Sequence, residues 1–322
     1  MRPASSLLDE TAARPFRGQR VLVTGASGFL GWHVAQHGVM AGVEVHTLGR
    51  SPGPPGTTHH QADLTDGSAV DRSVAAAQPQ AIIHCAAPGV TYGSMGFADM
   101  LAVAVVGTEA LYRAAVQLPA PPLVVHVGSG FEYAVSGRAV DEDWPIVPSA
   151  SLYGAAKAAA AASAGGFADR LSITMVRPFH IYGTGEAQRR LGPQIISQVR
   201  GGKPVALTGG EQMRDFLHVA DCSHCLWQAL ALAPAEPGLR AFNLGSGQPI
   251  SLRGYIEALG EALAESGLHP DLRFGALPYR AHEPMVCLPD ISRWRAISGW
   301  QPRVSLADGL AELVHTELSR CA

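Results

Sequence analysis

The sequence predicts an α/β fold, a doubly wound parallel sheet with a smaller C-terminal substrate-binding lobe. In the first half of the 322-residue chain, short apolar runs alternate with helical stretches, and strands separated by helices of about 10–15 residues form right-handed βαβ units. A glycine-rich turn joins the first apolar run to the first helix, as in Rossmann-like folds. After residue 178 the alternation stops and proline and glycine become frequent, which indicates an irregular second lobe.

The strands and helices follow in chain order from these runs. The apolar runs are near-continuous rather than alternating, which suits a sheet covered on both faces. The first half contains predicted strands at 20–24, 43–48, 81–85 and 123–127 and predicted helices at 32–42, 66–78 and 100–117. The second half contains predicted helices at 193–201, 219–232, 251–266 and 305–318, and strands at 216–218 and 241–244 that return to the main sheet.

The return of these two strands predicts lobes that interleave in sequence. We place the dinucleotide-binding domain at 18–178 plus about 213–244, and the substrate-binding lobe at 179–212 and 245–322. Residues 1–17 lack an apolar segment and carry Asp9 and Glu10. They therefore predict a flexible extension rather than a targeting signal.

Composition argues against several classes of function. The formal net charge is −3, so no basic excess is present to neutralise nucleic-acid phosphates, and no apolar run approaches the ~20 residues that span a membrane. Five cysteines at irregular spacing, with no secretory leader, are typical of free thiols in the cytoplasm. Cys222 and Cys225 enclose His224 in a CxxC pattern without a second ligand pair. We therefore expect buried helix cysteines and no metal site.

The glycine-rich turn predicts a dinucleotide-binding site. The first strand continues into Thr24-Gly-Ala-Ser-Gly-Phe-Leu-Gly31, and a helix follows. Glycines permit a tight turn and a close approach of backbone N–H groups to a pyrophosphate, and the helix N-terminus adds partial positive charge. The alternative is a loop with a structural role only.

The end of the second strand bears on the choice between NAD and NADP(H). An acid there would bind the ribose hydroxyls of NAD and repel a 2′-phosphate, but the chain has Gly49, Arg50 and Ser51. A cation beside a small residue suits a 2′-phosphate, so we favour NADP(H), with NAD as the alternative. For Arg50 the alternative is a solvated surface charge. Asp63, after the next short strand, either meets the adenine amino group or caps a helix.

Three polar residues form a candidate catalytic set. Tyr153 and Lys157 are four residues apart in an alanine-rich helical stretch, so the phenol and the ammonium share one helix face. A phenol with an ordinary pKa near 10 is a poor acid–base catalyst at neutral pH, and a fixed ammonium lowers that pKa. Ser129 follows a buried strand, where a hydroxyl can orient a substrate carbonyl. The set therefore predicts interconversion of a carbonyl and an alcohol.

These motifs resemble those of extended short-chain dehydrogenases/reductases, in the superfamily of NDP-sugar epimerases, dehydratases and reductases. The resemblance covers about residues 19–315 and rests on the glycine turn, the catalytic set and the motifs His84–Ala87, Arg177–Gly183, Arg214–Val219, Phe242–Gly247 and Gly299–Pro302. It implies a nucleotide-sugar substrate. It also implies a homodimer in which the helices around 100–117 and 152–170 pair with a second subunit as a four-helix bundle. The alternative is that these helices only cover the sheet.

The resemblance also assigns roles to individual residues. It implies that Tyr153 donates or accepts the proton, that Lys157 supports it and binds the ribose, and that Ser129 bonds the sugar carbonyl. The implied cofactor contacts are Gly25, Ser27, Gly28, Phe29, Leu30, Gly31, Arg50, Ser51, Asp63, Leu64, Ala86, Tyr153 and Lys157. The implied substrate contacts are Gly130, His180, Arg214, Asn243 and Arg280. The two arginines either grip the diphosphate as guanidinium forks or form structural ion pairs.

Departures from the family's pattern reduce the number of reactions that this chain is expected to catalyse. Where 4,6-dehydratases typically carry Asp-Glu after the catalytic hydroxyl, this chain has Gly130 and Phe131. Glu132 comes one position later, where we expect it to point differently. His180 replaces a usual asparagine, and it either binds phosphate as an imidazolium, acts as a second acid, or packs. Ala104 also replaces a frequent asparagine.

Three functions follow from these observations. The first is a reductase that uses NADPH to reduce the keto group, at C4, of a nucleotide-activated deoxysugar, and the Gly49-Arg50 pair and the missing dehydratase acids favour it. The second is an NAD-dependent sugar-nucleotide 4-epimerase that uses the same catalytic set. The third is a non-catalytic NADP(H)-binding sensor, against which the intact catalytic set argues.

Overall fold

The computed structural model describes residues 5–87, 96–148, 151–281 and 283–320. Its strands are β1 (Arg20–Thr24), β2 (Glu44–Gly49), β3 (Thr58–Gln61), β4 (Ala81–His84), β5 (Leu123–Val127), β6 (Ser172–Pro178), β7 (His180–Tyr182), β8 (Val205–Ala206), β9 (Met213–His218), β10 (Gly238–Leu244), β11 (Pro249–Ser251), β12 (Leu272–Arg273) and β13 (Val286–Cys287). Its α-helices are α1 (Phe29–Met40), α2 (Gly67–Ala77), α3 (Phe97–Leu101), α4 (Gly107–Val116), α5 (Leu152–Gly165), α6 (Leu191–Arg200), α7 (Val219–Ala231), α8 (Leu252–Glu265), α9 (Ser292–Ser298) and α10 (Leu306–Ser319). Across these ranges, no helix combines the length and the apolarity of a membrane span.

Seven parallel strands form the main sheet, in the order β10-β6-β5-β4-β1-β2-β3. Successive side chains of a strand point to opposite faces, so Val21 and Val23 of β1 pack with α1 and α7, whereas Leu22 packs with α2, α4 and α5. Both faces are covered, and the predicted α/β fold is confirmed. The strand order reverses between β1 and β4, which is where open α/β sheets bind ligands.

The stretch predicted as one helix at 100–117 is divided. It consists of the end of α3, a π-helical turn (Ala102–Val106) and α4. At the junction with α4, the Thr108 hydroxyl donates to the Ala104 carbonyl oxygen at 2.6 Å. Short π turns inside helices often lie at functional sites, and this one packs against α5.

A smaller sheet is formed by strands from the second half of the chain. Its central strand β9 pairs in parallel with β7 and β13 and antiparallel with β11. The prediction that 216–218 returns to the main sheet is therefore wrong, whereas 241–244 does so within β10, beside β6. The apolar pattern of a strand does not determine which strand it pairs with, because pairing depends on contacts distant in sequence. The division of the chain into two lobes stays a prediction.

Residues 5–17, predicted as a flexible extension, instead pack against the main body. Two short 3₁₀ turns shape this segment. Ala13 and Phe16 are buried in the same apolar cluster as α1 and α7, and the Phe16 ring centroid lies 5.8 Å from that of Trp227. The segment therefore contributes to the core instead of extending into solvent.

The start of this segment is anchored to α10. The hydroxyls of Ser5 and Ser6 donate to Glu312 at 2.9 and 2.7 Å, and His218 lies 3.4 Å from the same carboxylate. Burial raises the pKa of Glu312, but hydrogen bonds from His218 and the two serines outweigh it and lower the pKa from 4.5 to about 2. A depressed folded-state pKa stabilises the fold above the ordinary pKa, and that stabilisation is lost as the pH falls towards 2.

Glu312→Gln is expected to lower the melting temperature at neutral pH and to make little difference in acid. The ionised carboxylate contributes about 1–3 kcal/mol at neutral pH, and the variant lacks this contribution, whereas the wild type loses it only as Glu312 becomes protonated in acid. The measurement is the Tm of both proteins across pH, and the gap between them should shrink below pH 4.5. Glu261→Gln, which changes an exposed carboxylate of α8, is the control. A gap that stays constant with pH would contradict this account.

Candidate active site

The glycine-rich turn between β1 and α1 depends on the absence of side chains. Gly25 has φ +70°, and a Cβ there would lie 2.7 Å from the Ala86 nitrogen. A Cβ on Gly31 would lie 2.3 Å from the Gly25 carbonyl oxygen. Gly28 caps α1 without a side-chain hydrogen bond, so the first N–H groups of the helix are available to an anion. The turn thus fits a diphosphate and brings together the predicted contacts Gly25, Ser27, Gly28, Phe29, Leu30 and Gly31.

The carboxyl end of β2 presents Gly49, Arg50 and Ser51. Arg50 and Ser51 are exposed. Among the described residues, Arg50 takes part in no ion pair. An exposed guanidinium that is outside the ion pairs of the described residues, next to a glycine, suits a 2′-phosphate.

Asp63 lies near Arg50 but does not cap a helix. Its carboxylate accepts the N–H and the hydroxyl of Thr65 at 3.0 and 2.8 Å, and these bonds, with the charge of Arg50, lower its pKa. The N-cap of α2 is Asp66. The capping alternative for Asp63 is therefore wrong, and its adenine contact stays a prediction.

Leu64 and Ala86, two further predicted cofactor contacts, lie at the same edge of the sheet. Leu64 follows β3 and packs on α4, where a Cβ on Gly107 would lie 3.0 Å from the Leu64 Cβ. Ala86 follows β4 and donates its N–H to the Thr24 hydroxyl at 3.2 Å. Both therefore lie beyond the carboxyl ends of parallel strands, the edge at which such sheets bind ligands.

The structure brings Ser129, Tyr153 and Lys157 together. Ser129 is buried directly after β5, at the start of a 3₁₀ turn (Gly130–Glu132). Tyr153 and Lys157 lie one helical turn apart in α5, and Ser129 is close enough to the Tyr153 hydroxyl to lower the pKa of Tyr153. A hydroxyl donor, a phenol and an ammonium thus converge at the carboxyl end of β5, as the catalytic prediction requires.

Two glycines set how closely α5 and its surroundings approach this turn. A Cβ on Gly154 would lie 2.2 Å from the Phe131 carbonyl oxygen, so α5 packs directly on the 3₁₀ turn. A Cβ on Gly130 would lie 2.7 Å from the ring of Phe179. Gly130 therefore has a packing role, and its predicted substrate contact stays a prediction.

Tyr153 is protonated at neutral pH in this arrangement. Burial, together with the Glu132 carboxylate, raises the pKa of Tyr153 to about 12, while Arg190 and the hydrogen bond to Ser129 oppose that rise. Lys157 was expected to lower this pKa. Its ammonium instead donates to a backbone carbonyl of β5, and burial lowers the pKa of Lys157 itself. These contacts suit Tyr153 as a proton donor.

An ion pair buried beside Ser129 was not predicted. The Glu132 carboxylate accepts the Ser129 N–H at 2.7 Å and Arg177 Nε at 2.8 Å. Glu132 is fully buried, so it is not placed as an acid that faces a ligand. A sequence signal was present, because Arg177 stands in the buried strand β6 and a buried arginine requires a partner.

Arg214 and Arg280 both contact Glu283. The buried guanidinium of Arg214 donates to the Pro284 carbonyl oxygen at 2.7 Å and to Glu283 at 3.3 Å. Arg280 is exposed, and its carbonyl oxygen accepts the Glu283 N–H at 3.1 Å. Arg214 therefore has the structural ion pair that was its alternative role. The diphosphate role of both arginines stays a prediction.

Asn243 lies in the interior instead of facing a cleft. Its side-chain oxygen accepts the Tyr133 hydroxyl at 2.8 Å, and its amide nitrogen donates to the Val140 carbonyl oxygen at 2.9 Å. The residue is fully buried. Both ends of the side chain are thus occupied within the protein, so these contacts give Asn243 a structural role, and its substrate contact stays a prediction.

His180 is neutral in this structure. Burial, with the charges of Arg214 and Arg190, lowers its pKa to about 3. The ring packs between Phe131 and Phe216, at centroid distances of 5.8 and 5.7 Å. The packing alternative fits these contacts. The imidazolium and acid alternatives do not, because both require protonation near neutral pH.

The CxxC pattern is buried in α7. Cys222 and Cys225 lie within the apolar core, as predicted for helix cysteines, and burial raises the pKa of both thiols. Cys321 lies outside the described residues. In the part of the chain that the structure describes, no three histidine, cysteine or acidic side chains are grouped as metal ligands.

Comparison with known proteins shows which family has sequences and structures similar to this one. A protein-family model described as “NAD dependent epimerase/dehydratase family” matches residues 21–245. Over 92% of this chain and 97% of the relative, the sequence is 29% identical to a UDP-glucose 4-epimerase of Mycolicibacterium smegmatis. It is 27% identical to a dTDP-glucose 4,6-dehydratase of Streptomyces antibioticus over 91% of each protein. The solved structure of MoeE5 in complex with UDP-glucose and NAD superposes with a TM-score of 0.82 at 28% identity, covering 94% of this chain and 99% of that one.

Proposed function

Because this chain belongs to the NAD dependent epimerase/dehydratase family, we propose that it is an NADP(H)-dependent reductase of the keto group, at C4, of a nucleotide-activated deoxysugar. One observation carries the choice of NADP(H) and of a reductase. The carboxyl end of β2 presents Gly49 and the exposed Arg50 where an NAD site has an acid. The names of the relatives, which include UDP- and dTDP-sugar enzymes, support a nucleotide-sugar substrate.

The residues of the site support carbonyl reduction. The glycine turn and Arg50 would hold the dinucleotide, which when bound supplies a hydride. Ser129 donates a hydrogen bond to the keto oxygen, and the protonated Tyr153 gives its proton to that oxygen as the carbonyl becomes an alcohol. Lys157 is buried one helical turn from Tyr153, where its ammonium donates to the Val127 carbonyl oxygen and would bind the ribose of the dinucleotide.

Elimination of water is not supported by the residues after Ser129. Gly130 and Phe131 have no acidic or basic side chain, and the Glu132 carboxylate forms an ion pair with Arg177. A dehydratase needs an acid and a base at the substrate. Reduction needs only the proton of Tyr153.

Arg50→Asp is expected to reverse the cofactor preference. The change removes the charge that would meet a 2′-phosphate and adds an acid that accepts hydrogen bonds from ribose hydroxyls. A charge-assisted contact of this kind corresponds to about 10- to 100-fold in kcat/KM. The measurement is kcat/KM for NADPH and NADH in both proteins, with Arg200→Asp, at an exposed arginine of α6, as the control. An unchanged preference would show that the NADP(H) argument is wrong.

A second candidate is a 4-epimerase that retains NAD. It is supported by a relative named UDP-glucose 4-epimerase and by the NAD bound in the structure of MoeE5. Mass spectrometry of the nucleotide released on denaturing freshly purified protein separates the two candidates. Stoichiometric NAD would favour the epimerase. An exchangeable site that prefers NADPH, together with turnover of a 4-keto nucleotide sugar, is the result we expect.

We also propose that the protein is a cytoplasmic homodimer formed through the π turn, α4 and α5. Val106 and Leu152, on these neighbouring elements, have 48% and 58% of their surface exposed. Exposed apolar side chains on packed helices are typical of a surface that a partner covers. The four-helix arrangement implied by the resemblance would cover it with the same helices of a second copy.

A further inference from the structure

Glu132 lies beside the catalytic turn, and the proposed reaction assigns it no step. We infer that Glu132 is a positioning residue that, paired with Arg177, fixes Ser129 and sets the charge next to Tyr153. This inference rests on the proposed function of the same site. The exposed fraction of the surface is 0% for Glu132 and 4% for Arg177, so the pair acts from the interior of the protein.

The first part of the inference concerns the backbone of Ser129. The 3₁₀ turn carries a reciprocal capping box, in which the Ser129 N–H donates to Glu132 at 2.7 Å and the Phe131 N–H donates to Ser129 Oγ at 3.2 Å. These two bonds hold both the backbone and the hydroxyl oxygen. A serine hydroxyl that accepts one hydrogen bond still has its own proton to donate. Glu132 therefore helps direct that proton towards a keto oxygen.

The second part concerns what holds Glu132. Arg177 Nε donates to its second carboxylate oxygen at 2.8 Å, and Arg177 Nη1 donates to the Tyr133 hydroxyl at 2.9 Å. The Tyr133 hydroxyl in turn donates to Asn243 at 2.8 Å. The catalytic turn is thus tied to β6, through Arg177, and to the edge strand β10, through Asn243. A hydrogen-bonded buried network of this kind gives a side chain one position.

The third part concerns charge. After burial, the Glu132 carboxylate is the main factor that raises the pKa of Tyr153, and Arg190 and the Ser129 hydrogen bond oppose it. Burial lowers the pKa of Lys157, and Glu132 acts against that shift. The carboxylate therefore favours the protonated form of Tyr153 and the charged form of Lys157, which are the forms that reduction needs.

Glu132→Gln removes the charge and keeps the shape. We expect kcat to fall about a hundredfold, because a small misplacement of a catalytic group has that effect. The KM values for the sugar nucleotide and for NADPH should stay within about twofold. The alkaline limb of the pH profile of kcat should move to lower pH, because Tyr153 loses a negative neighbour that raises its pKa.

Asp221→Asn is the matched control. Asp221 is a buried carboxylate of α7 that accepts the N–H groups of Arg303 and Val304, each at 3.1 Å. Its loss should reduce stability without moving the alkaline limb or kcat. Glu132→Gln leaves Arg177 without its carboxylate. If that variant does not fold, Glu132→Val with Arg177→Met removes both charges and keeps apolar packing, and the same fall in kcat is expected. A folded variant with wild-type kcat and an unmoved alkaline limb would overturn the inference.

A measurement without substrate separates this inference from the proposed function. Hydrogen–deuterium exchange on the peptide that covers residues 128–133 should be faster in Glu132→Gln by about tenfold, because the Ser129 amide loses a charged acceptor. A wild type that reduces no 4-keto sugar nucleotide would end the proposed function, while faster exchange would still support the anchoring of Ser129. Unchanged exchange in an active enzyme would overturn the inference alone.

Discussion

Tyr153→Phe is expected to lower turnover about a thousandfold, because the lost oxygen both bonds to Ser129 and donates the proton. The rest of the side chain remains, with its ring centroid 6.3 Å from that of Phe131 in an edge-to-face contact. The glycine turn and Arg50 are not changed. We therefore expect the variant to fold and to bind its dinucleotide as the wild type does.

The measurement pairs kcat for keto reduction with the dissociation constant for NADPH. Tyr112→Phe is the control, since it also removes a buried hydroxyl, one that bonds to His126 at 2.8 Å in the core of the main sheet. That control should keep its kcat. A Tyr153→Phe protein with wild-type turnover would show that the catalytic assignment of Tyr153 is wrong.

Gly154→Ala is expected to reduce both stability and activity. Its Cβ would lie 2.2 Å from the Phe131 carbonyl oxygen, and a backbone atom does not move aside as a side chain does. We expect about 1–3 kcal/mol of destabilisation from overpacking. We also expect about a hundredfold lower kcat, because α5 would carry Tyr153 away from Ser129.

Gly165→Ala, in the same helix, is the matched control. There the nearest atom to a new Cβ belongs to Leu239, at 3.8 Å, which is an ordinary contact. Alanine in a helix is about 0.5–1 kcal/mol more favourable than glycine, so this variant should be as active as the wild type and slightly more stable. Chemical denaturation and kcat of both variants test the pair. Equal activity of the two would mean that Gly154 does not set the position of Tyr153.

The parts of the site that are local in sequence were predictable. The glycine turn follows a strand directly, and Tyr153 and Lys157 occupy one face of one helix. Each of these two motifs spans eight residues or fewer, so the spacing of its residues in the sequence is enough to identify it. Ser129 required only the recognition of the apolar strand β5 before it.

The parts that depend on distant contacts were not predictable. Glu132 and Arg177 are 45 residues apart, and nothing in the spacing of the chain pairs them. The charge of His180 depends on its burial between Phe131 and Phe216, which the sequence does not state. The role of Asn243 depends in the same way on Tyr133, at a separation of 110 residues. The protonation state and the role of each of these side chains depend on its burial and on its hydrogen-bond partners. Burial and partners are established only when the chain folds.

The bond between Ser5 and Glu312 joins positions 307 residues apart, and this has a consequence for synthesis. The N-terminal segment emerges from the ribosome long before α10 is translated, so it waits without its acceptor while the main sheet forms. The bond therefore forms only after α10 has been translated, which makes this contact a late one. A chain that stops before α10 lacks Glu312, so Ser5 and Ser6 have no acceptor, and only Ala13 and Phe16 hold the N-terminal segment to the core.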